Sequence, residues 1–266
     1  MTTDHLTHNR PPRPVRHAAS KVPEVTLYFW IIKVLTTGMG ETASDFLAHW
    51  LGPIPAVGLG GIALLAALAV QFAARRYVPW IYWTAIVMVS VFGTMAADVL
   101  HVGLGVPYTV STPFFMAVLA AVFVLWHRGE GTLSIHSIHT RRREAFYWAA
   151  VLATFALGTA AGDLTATIGL GYLGSVALYA AAIAVPAVAH RWGNVSAVAA
   201  FWAAYVTTRP LGASLADWMA VSHSRGGLNL GLGPVTLSWT VAILGFVGYL
   251  AVSRKDRQDL QTPGMA

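Results

Sequence analysis

Four aspartates, Asp45, Asp98, Asp163 and Asp217, each follow a tryptophan by fifteen residues: Trp30, Trp83, Trp148 and Trp202. Recurring carboxylates offer hard oxygen ligands to a cation, or positions that take up and release protons. A glycine stands five residues before each aspartate (Gly40, Gly93, Gly158, Gly212), and a small residue stands directly before it (Ser44, Ala97, Gly162, Ala216). A Gly-Leu-Gly follows at 58–60, 103–105, 169–171 and 231–233. Agreement at this many positions establishes a fourfold internal repeat. The segment from Asp to Gly-Leu-Gly is long in the first and fourth units and short in the other two, a pseudo-twofold pattern laid over the fourfold one.

On a helix advancing about 100° per residue, the positions fifteen, eight and four before each aspartate share a sector of about 80° with it. The stripes read Trp30, Thr37, Glu41, Asp45; Trp83, Ser90, Thr94, Asp98; Trp148, Phe155, Thr159, Asp163; and Trp202, Arg209, Ala213, Asp217. A charge turned toward lipid costs roughly 2.5 to 3.5 kcal/mol on insertion scales, so these faces are predicted to meet on a common axis. Four carboxylates then lie at one depth in the outer half of a membrane, with Glu41 one turn from Asp45. Such a group must be partly protonated, paired with a base, or neutralised by a bound cation.

Arg209 is the internal counter-charge, and Pro210 beside it predicts a kink. Lys33, nine residues into its helix, is expected to snorkel to the inner interface. The predicted ion-binding set is Asp45, Asp98, Asp163, Asp217, Glu41, Thr94, Thr159 and Arg209. Oxygen ligands suit Mg²⁺, Ca²⁺ or Mn²⁺, and His101, one turn beyond Asp98, joins the four aspartates and Glu41 as a candidate metal ligand, tilting the choice toward Mn²⁺ or Zn²⁺. His49, one turn beyond Asp45, stands in the same relation. Both histidines also fit an interfacial role. The sequence has no cysteine, which excludes thiolate metal or redox chemistry.

The elements that position these residues follow from hydropathy. Of 266 residues 56% are hydrophobic and 11% charged, a balance that predicts an all-α, polytopic membrane protein. Crossing a bilayer takes roughly 20 helical residues. Apolar runs near 24–50, 58–76, 79–102, 107–127, 144–168, 172–190, 195–221 and 234–253 predict eight transmembrane helices. They form four parallel two-helix repeats, near 23–77, 78–128, 144–191 and 195–253, around a pseudo-fourfold axis, with polar cytoplasmic tails at 1–22 and 254–266. Fourteen of the seventeen Lys and Arg residues fall on one side of this arrangement. By the positive-inside rule that side, with both termini, is cytoplasmic, and the protein is expected in a bacterial inner membrane. Topology thus accounts for the basic charge, and no nucleic-acid role is expected. The first twenty-odd residues lack the apolar core of a cleavable signal peptide.

The tryptophans, near the cytoplasmic starts of the odd-numbered helices, are expected to form an aromatic belt with an added packing role between repeats. Two His-x-x-His pairs, His5 with His8 and His136 with His139, are read as solvated or lipid-facing basic segments that could gather a metal before export. No Walker loop, dinucleotide fingerprint or Gly-x-Ser-x-Gly elbow occurs. An ATP-driven pump in this chain is therefore excluded, and no enzyme activity is expected.

With four two-helix units, each carrying its tryptophan, the sequence resembles the bacterial membrane proteins built of four tandem repeats of unknown function. The resemblance covers roughly residues 22–253. It implies the membrane topology and brings no reaction or substrate with it.

The residues therefore lead to an expectation of a secondary transporter of a small cation, with Mn²⁺ the first candidate and export the direction, coupled to protons on the carboxylate ring. Its partners would be the lipid bilayer, the cation and protons, with no covalent cofactor and the oligomeric state open. The alternatives are an anion or organic-solute carrier centred on Arg209, and a structural or sensory membrane protein whose aspartates fix helix packing.

Overall fold

A computed structural model describes residues 20–193 and 195–256. The pair His5 and His8, and Arg257, lie outside the described residues. All regular structure among the described residues is helical. The helices are α1 (Leu27–Leu51), α2 (Pro53–Ala73), α3 (Pro79–Asp98), α4 (Tyr108–Glu130), α5 (Arg141–Thr165), α6 (Gly171–Trp192), α7 (Ala197–Ala220) and α8 (Leu232–Ser253).

Local signals set several of their ends. The side-chain oxygens of Thr26, Thr140 and Ser196 accept the amides of Phe29, Arg143 and Ala199, capping α1, α5 and α7. Prolines open α2 and α3, where a missing amide costs nothing. Pro53 starts α2 directly after Gly52, whose φ of +86° turns the chain. The first Gly-Leu-Gly therefore lies inside α2, although apolar content alone had suggested a start near residue 58. A π-helical turn follows α3 at Val99–Gly103 and another follows α5 at Ala166–Leu170. The second joins α5 to α6 in one helical run of 52 residues, with a bend at Gly169, where φ is +112°.

Five runs are long and apolar enough to cross a membrane by length and composition: Pro53–Ala73, Pro79–His101, Tyr108–Glu130, Arg141–Trp192 and Leu232–Ser253. Eight separate spans were expected. α1 and α7 fall outside this group because Lys33, Glu41 and Asp45, or Arg209 and Asp217, with several Thr, Ser and Gly, dilute their hydropathy. α5 and α6 count as one run although the bend at Gly169 lies between them. The outward faces of the even-numbered helices carry large apolar side chains, from Ile54 (87% exposed) and Leu65 on α2 to Val252 (86%) on α8. Apolar surface on this scale fits a membrane protein.

The odd-numbered helices form the interior. α1 packs on α3 and on α7, α3 on α5, and α5 on α7, so the contacts close on themselves. Each even-numbered helix packs most extensively on the odd helix of the next repeat: α2 on α3, α4 on α5, α6 on α7, and α8 on α1.

The repeated glycines make the inner contacts possible. A Cβ added at Gly40 would lie 2.5 Å from Ser90 Cβ, at Gly93 2.7 Å from Phe155 Cβ, at Gly158 2.5 Å from Arg209 Cβ, and at Gly212 2.8 Å from Thr37 Cβ. Each glycine thus receives the residue that stands eight positions before the aspartate of the following repeat, and the fourth returns to the first. Only hydrogen fits at such an approach.

The tryptophans repeat the pattern. Phe29 packs on Trp83 (5.7 Å between ring centroids), Tyr82 on Trp148 (5.7 Å), Tyr147 on Trp202 (6.2 Å) and Phe201 on Trp30 (5.7 Å). Trp83, Trp148 and Trp202 are buried. These three therefore serve the packing role and not the expected belt, because the aromatic residue preceding each tryptophan in the neighbouring repeat draws it inward. The exposed tryptophans near helix ends are Trp50, Trp80 and Trp192.

Candidate functional site

The stripes predicted from the sequence converge at one guanidinium. Arg209 is fully buried. Its Nη2 donates to Glu41 Oε2 at 2.6 Å, to Thr159 Oγ1 at 2.7 Å and to Thr94 Oγ1, and its Nη1 donates to the Thr37 carbonyl at 3.3 Å. Glu41, Thr94 and Thr159 each stand four residues before the aspartate of their own repeat. The fourth repeat has Ala213 there, so Arg209, one turn earlier, reaches the corresponding residue of all three other repeats. Thr94 also donates to Glu41 Oε2 at 3.3 Å, and Thr37 to the Thr208 carbonyl at 3.3 Å. Thr94 and Thr159, expected as ion ligands, both accept from the arginine. α7 remains one helix across Pro210.

Beyond this layer three of the acids meet closely. One carboxylate oxygen from each of Glu41, Asp163 and Asp217 lies within 4.8 Å of the others, close enough to share one cation. These residues come from the first, third and fourth repeats, and Asp217 is buried whereas Asp163 is half-buried. Asp45 and Asp98 are half-buried and stand outside that group. The acids that come this close are two of the four repeated aspartates together with Glu41, which stands four residues before Asp45. His101 is buried, stacks edge-on against Tyr108 at 4.1 Å and is not in the three-acid group. His49 is exposed, with Nδ1 2.7 Å from the Asp45 carbonyl and so turned to its own backbone. His136 and His139 are exposed, and His136 lies 3.6 Å from Glu24.

Lys33 departs from expectation. It is fully buried, with Nζ 4.2 Å from the ring centre of Tyr205 and 4.3 Å from that of Phe155. Two ring faces enclose its amine, so the side chain stays inside the bundle and does not reach the interface. The sequence carried a signal for this: Lys33, Thr37, Glu41 and Asp45 run at intervals of four along one helix face.

The basic end of the bundle is closed by a second polar cluster that sequence reasoning missed. Lys21 Nζ donates to Glu144 Oε2 at 2.6 Å and to the Phe72 carbonyl at 3.2 Å, and Gln71 donates to Glu144 Oε1 at 3.1 Å. Tyr77 donates its hydroxyl to Asp256, whose carbonyl accepts the Glu24 amide at 3.0 Å. The segment before α1 is thereby tied to α2, α5 and the residues after α8. Lys21 and Glu144 are 123 residues apart, and no local pattern pairs them.

A family profile described as Repeat of Unknown Function (DUF347) matches residues 28–77, 81–132, 146–194 and 200–256. The chain belongs to this family. The four matched segments each contain one tryptophan–aspartate pair and one inner helix, so the family's repeat is the unit whose contacts close around Arg209. No curated protein and no solved structure matches the chain.

Proposed function

We propose that the chain crosses a lipid bilayer with eight helices, as four parallel repeats about a pseudo-fourfold axis with both termini in the bacterial cytoplasm. On that axis it acts as a secondary transporter exchanging a small cation for protons. The cyclic glycine and tryptophan contacts support the symmetry, and the apolar outer faces support the membrane.

The observation that carries the transport reading is the meeting of Glu41, Asp163 and Asp217 within 4.8 Å, contributed by three repeats. Hard oxygens in this number suit a divalent ion, Mn²⁺ first among them, as transported substrate. Arg209 occupies Glu41 in the present state, and an arriving cation competes with it for that carboxylate. The π-helical turns that begin directly after Asp98 and three residues after Asp163 add support, since such turns concentrate at functional sites. An anion carrier built on Arg209 is the weaker reading, because Glu41, Thr94, Thr159 and the Thr37 carbonyl already engage its two terminal nitrogens.

A proteoliposome flux assay over Mn²⁺, Mg²⁺, Ca²⁺, Zn²⁺ and monovalent ions, with a pH dye inside, tests the proposal. Cation flux with counter-moving protons, lost in folded Asp217→Asn, supports it. Absence of cation flux from folded wild-type protein overturns it.

A further inference from the structure

A groove apart from the carboxylate site runs between α1, α3 and α8, where α8 packs on α1 and also meets α3. Its volume is about 140 Å³, and Met39, Trp83, Val87, Thr240, Ile243 and Val247 line it. Trp80 (44% exposed), Leu244 (52% exposed) and the exposed Thr84 complete the lining, so the groove opens on the outer surface of the bundle. Walls of this kind suit a hydrocarbon chain. One lining residue wants a polar partner: Trp83 Nε1 is buried with no hydrogen-bond acceptor.

The end of the groove nearest the start of α3 and the end of α8 meets a cluster of positive charge. Tyr77, just before α3, donates to Asp256, just after α8, and so ties the two helix ends together. Arg75 and Arg76 directly precede Tyr77, and Arg254 and Lys255 directly precede Asp256. All four are exposed, and none forms an ion pair with another described residue. Lys255 is steadied by the rings of Tyr249 and Tyr28, 5.3 and 5.9 Å from its Nζ. Along α8, Val247 stands about 9 Å from Ser253 at 1.5 Å per residue. The apolar groove thus begins about one headgroup's length from this corner.

We propose that this groove and the basic corner beside it form a binding site for one anionic phospholipid, an inference that rests on the membrane reading above and not on the transport reading. The phosphate lies among Arg75, Arg76, Arg254 and Lys255, and one acyl chain enters the groove between α3 and α8. Basic clusters beside transmembrane helices select anionic headgroups in this way. An ester oxygen between the two parts offers the acceptor that Trp83 Nε1 lacks, which removes the cost of a buried unpaired donor. The lipid so held fills the space between the last helix of the fourth repeat and the inner helices of the first two.

The test is native mass spectrometry of the detergent-purified protein, titrated with phosphatidylglycerol or with phosphatidylcholine of identical acyl chains. The wild type is expected to retain one phosphatidylglycerol per chain with a preference of about tenfold or more over phosphatidylcholine. A variant with Arg75, Arg76, Arg254 and Lys255 all changed to Gln, shown to be folded by size-exclusion chromatography, should lose the preference. Thr84→Trp, which fills the groove from an exposed position, should abolish retention of both lipids. Arg128→Gln with Arg191→Gln removes two exposed charges elsewhere at the basic end and should leave the preference unchanged. Equal retention of the two lipids by the wild type overturns the proposal, as does a preference that survives in folded Thr84→Trp. Should the fourfold variant fail to fold, Arg75→Gln with Arg76→Gln is expected to lower the preference several-fold, and no change there overturns the proposal equally. Washing of bacterial membranes with alkaline carbonate separates the two failures. Protein released without detergent sinks the membrane reading and the proposal with it, whereas protein that stays in the membrane yet shows no lipid preference sinks the proposal alone.

Discussion

Arg209 Nη2 lies 2.6 Å from Glu41 Oε2, joining the fourth repeat to the first across the centre of the bundle. The guanidinium stands where the other repeats carry Thr37, Ser90 and Phe155, and the carboxylate stands where they carry Thr94, Thr159 and Ala213. One substitution at each of two equivalent layers thus turns a repeated scaffold into a site with a single charged centre.

Breaking this pair from one side leaves an uncompensated buried charge. Arg209→Met and Glu41→Gln are each expected to destabilise the protein by about 3 kcal/mol or more. The double variant should lose less than the sum of the two. Thermal unfolding in detergent, arranged as a double-mutant cycle, measures the coupling.

The inner helices approach through hydrogen atoms at four glycines. Gly158→Ala places a methyl 2.2 Å from Arg209 Cγ, and Gly212→Ala places one 1.8 Å from Thr37 Oγ1. Each should cost about 1 to 3 kcal/mol through overpacking, seen as a lower melting temperature. Gly58→Ala, with nothing within 4 Å of the added carbon, should leave the melting temperature unchanged or slightly raised.

The Lys21–Glu144 pair latches the basic end. The sequence contains no cysteine, so Thr159→Cys introduces a single reporter at the axis. Labelling by a membrane-impermeant maleimide from the basic side should quicken when Lys21→Ala is added and slow again in the charge swap Lys21→Glu with Glu144→Lys. Equal rates in all three proteins would show that the latch does not control access.

Much of the scaffold was readable because the constraint behind it is local. A helix-to-helix approach that tolerates no Cβ has one solution, and the glycines five residues before each aspartate recorded it four times over. The stripe geometry likewise located Glu41, Thr94, Thr159 and Arg209. What a stripe does not contain is which partner each residue takes. Thr94 and Thr159 suit an ion or an arginine equally well, and nothing in their stripes showed that Arg209 reaches both. Lys33 looked able to snorkel because the rings that hold it come from α5 and α7, more than 120 residues away in the chain. The tryptophans fitted a belt until the aromatic residue before each one was seen to pack on the next. That each even helix leans on the following repeat was hidden too, since helices apolar on all sides name no preferred neighbour.

Acids inside the three-acid group should matter more for cation binding than those outside it. Asp217→Asn and Asp163→Asn remove members of the three-acid group and are expected to weaken cation binding by more than about tenfold. Asp98→Asn and Asp45→Asn, outside that group, should weaken it less. Isothermal titration of the four folded variants ranks them, and equal losses at all four positions would restore a symmetric ring of aspartates.

The most direct test of the central claim is a Mn²⁺ titration of the purified protein followed by electron paramagnetic resonance, with Asp217→Asn alongside. A site formed by Glu41, Asp163 and Asp217 predicts one saturable Mn²⁺ per chain in the wild type and its loss in the folded variant. No saturable Mn²⁺, or binding unchanged by Asp217→Asn, would contradict the assignment of these carboxylates as the ion site.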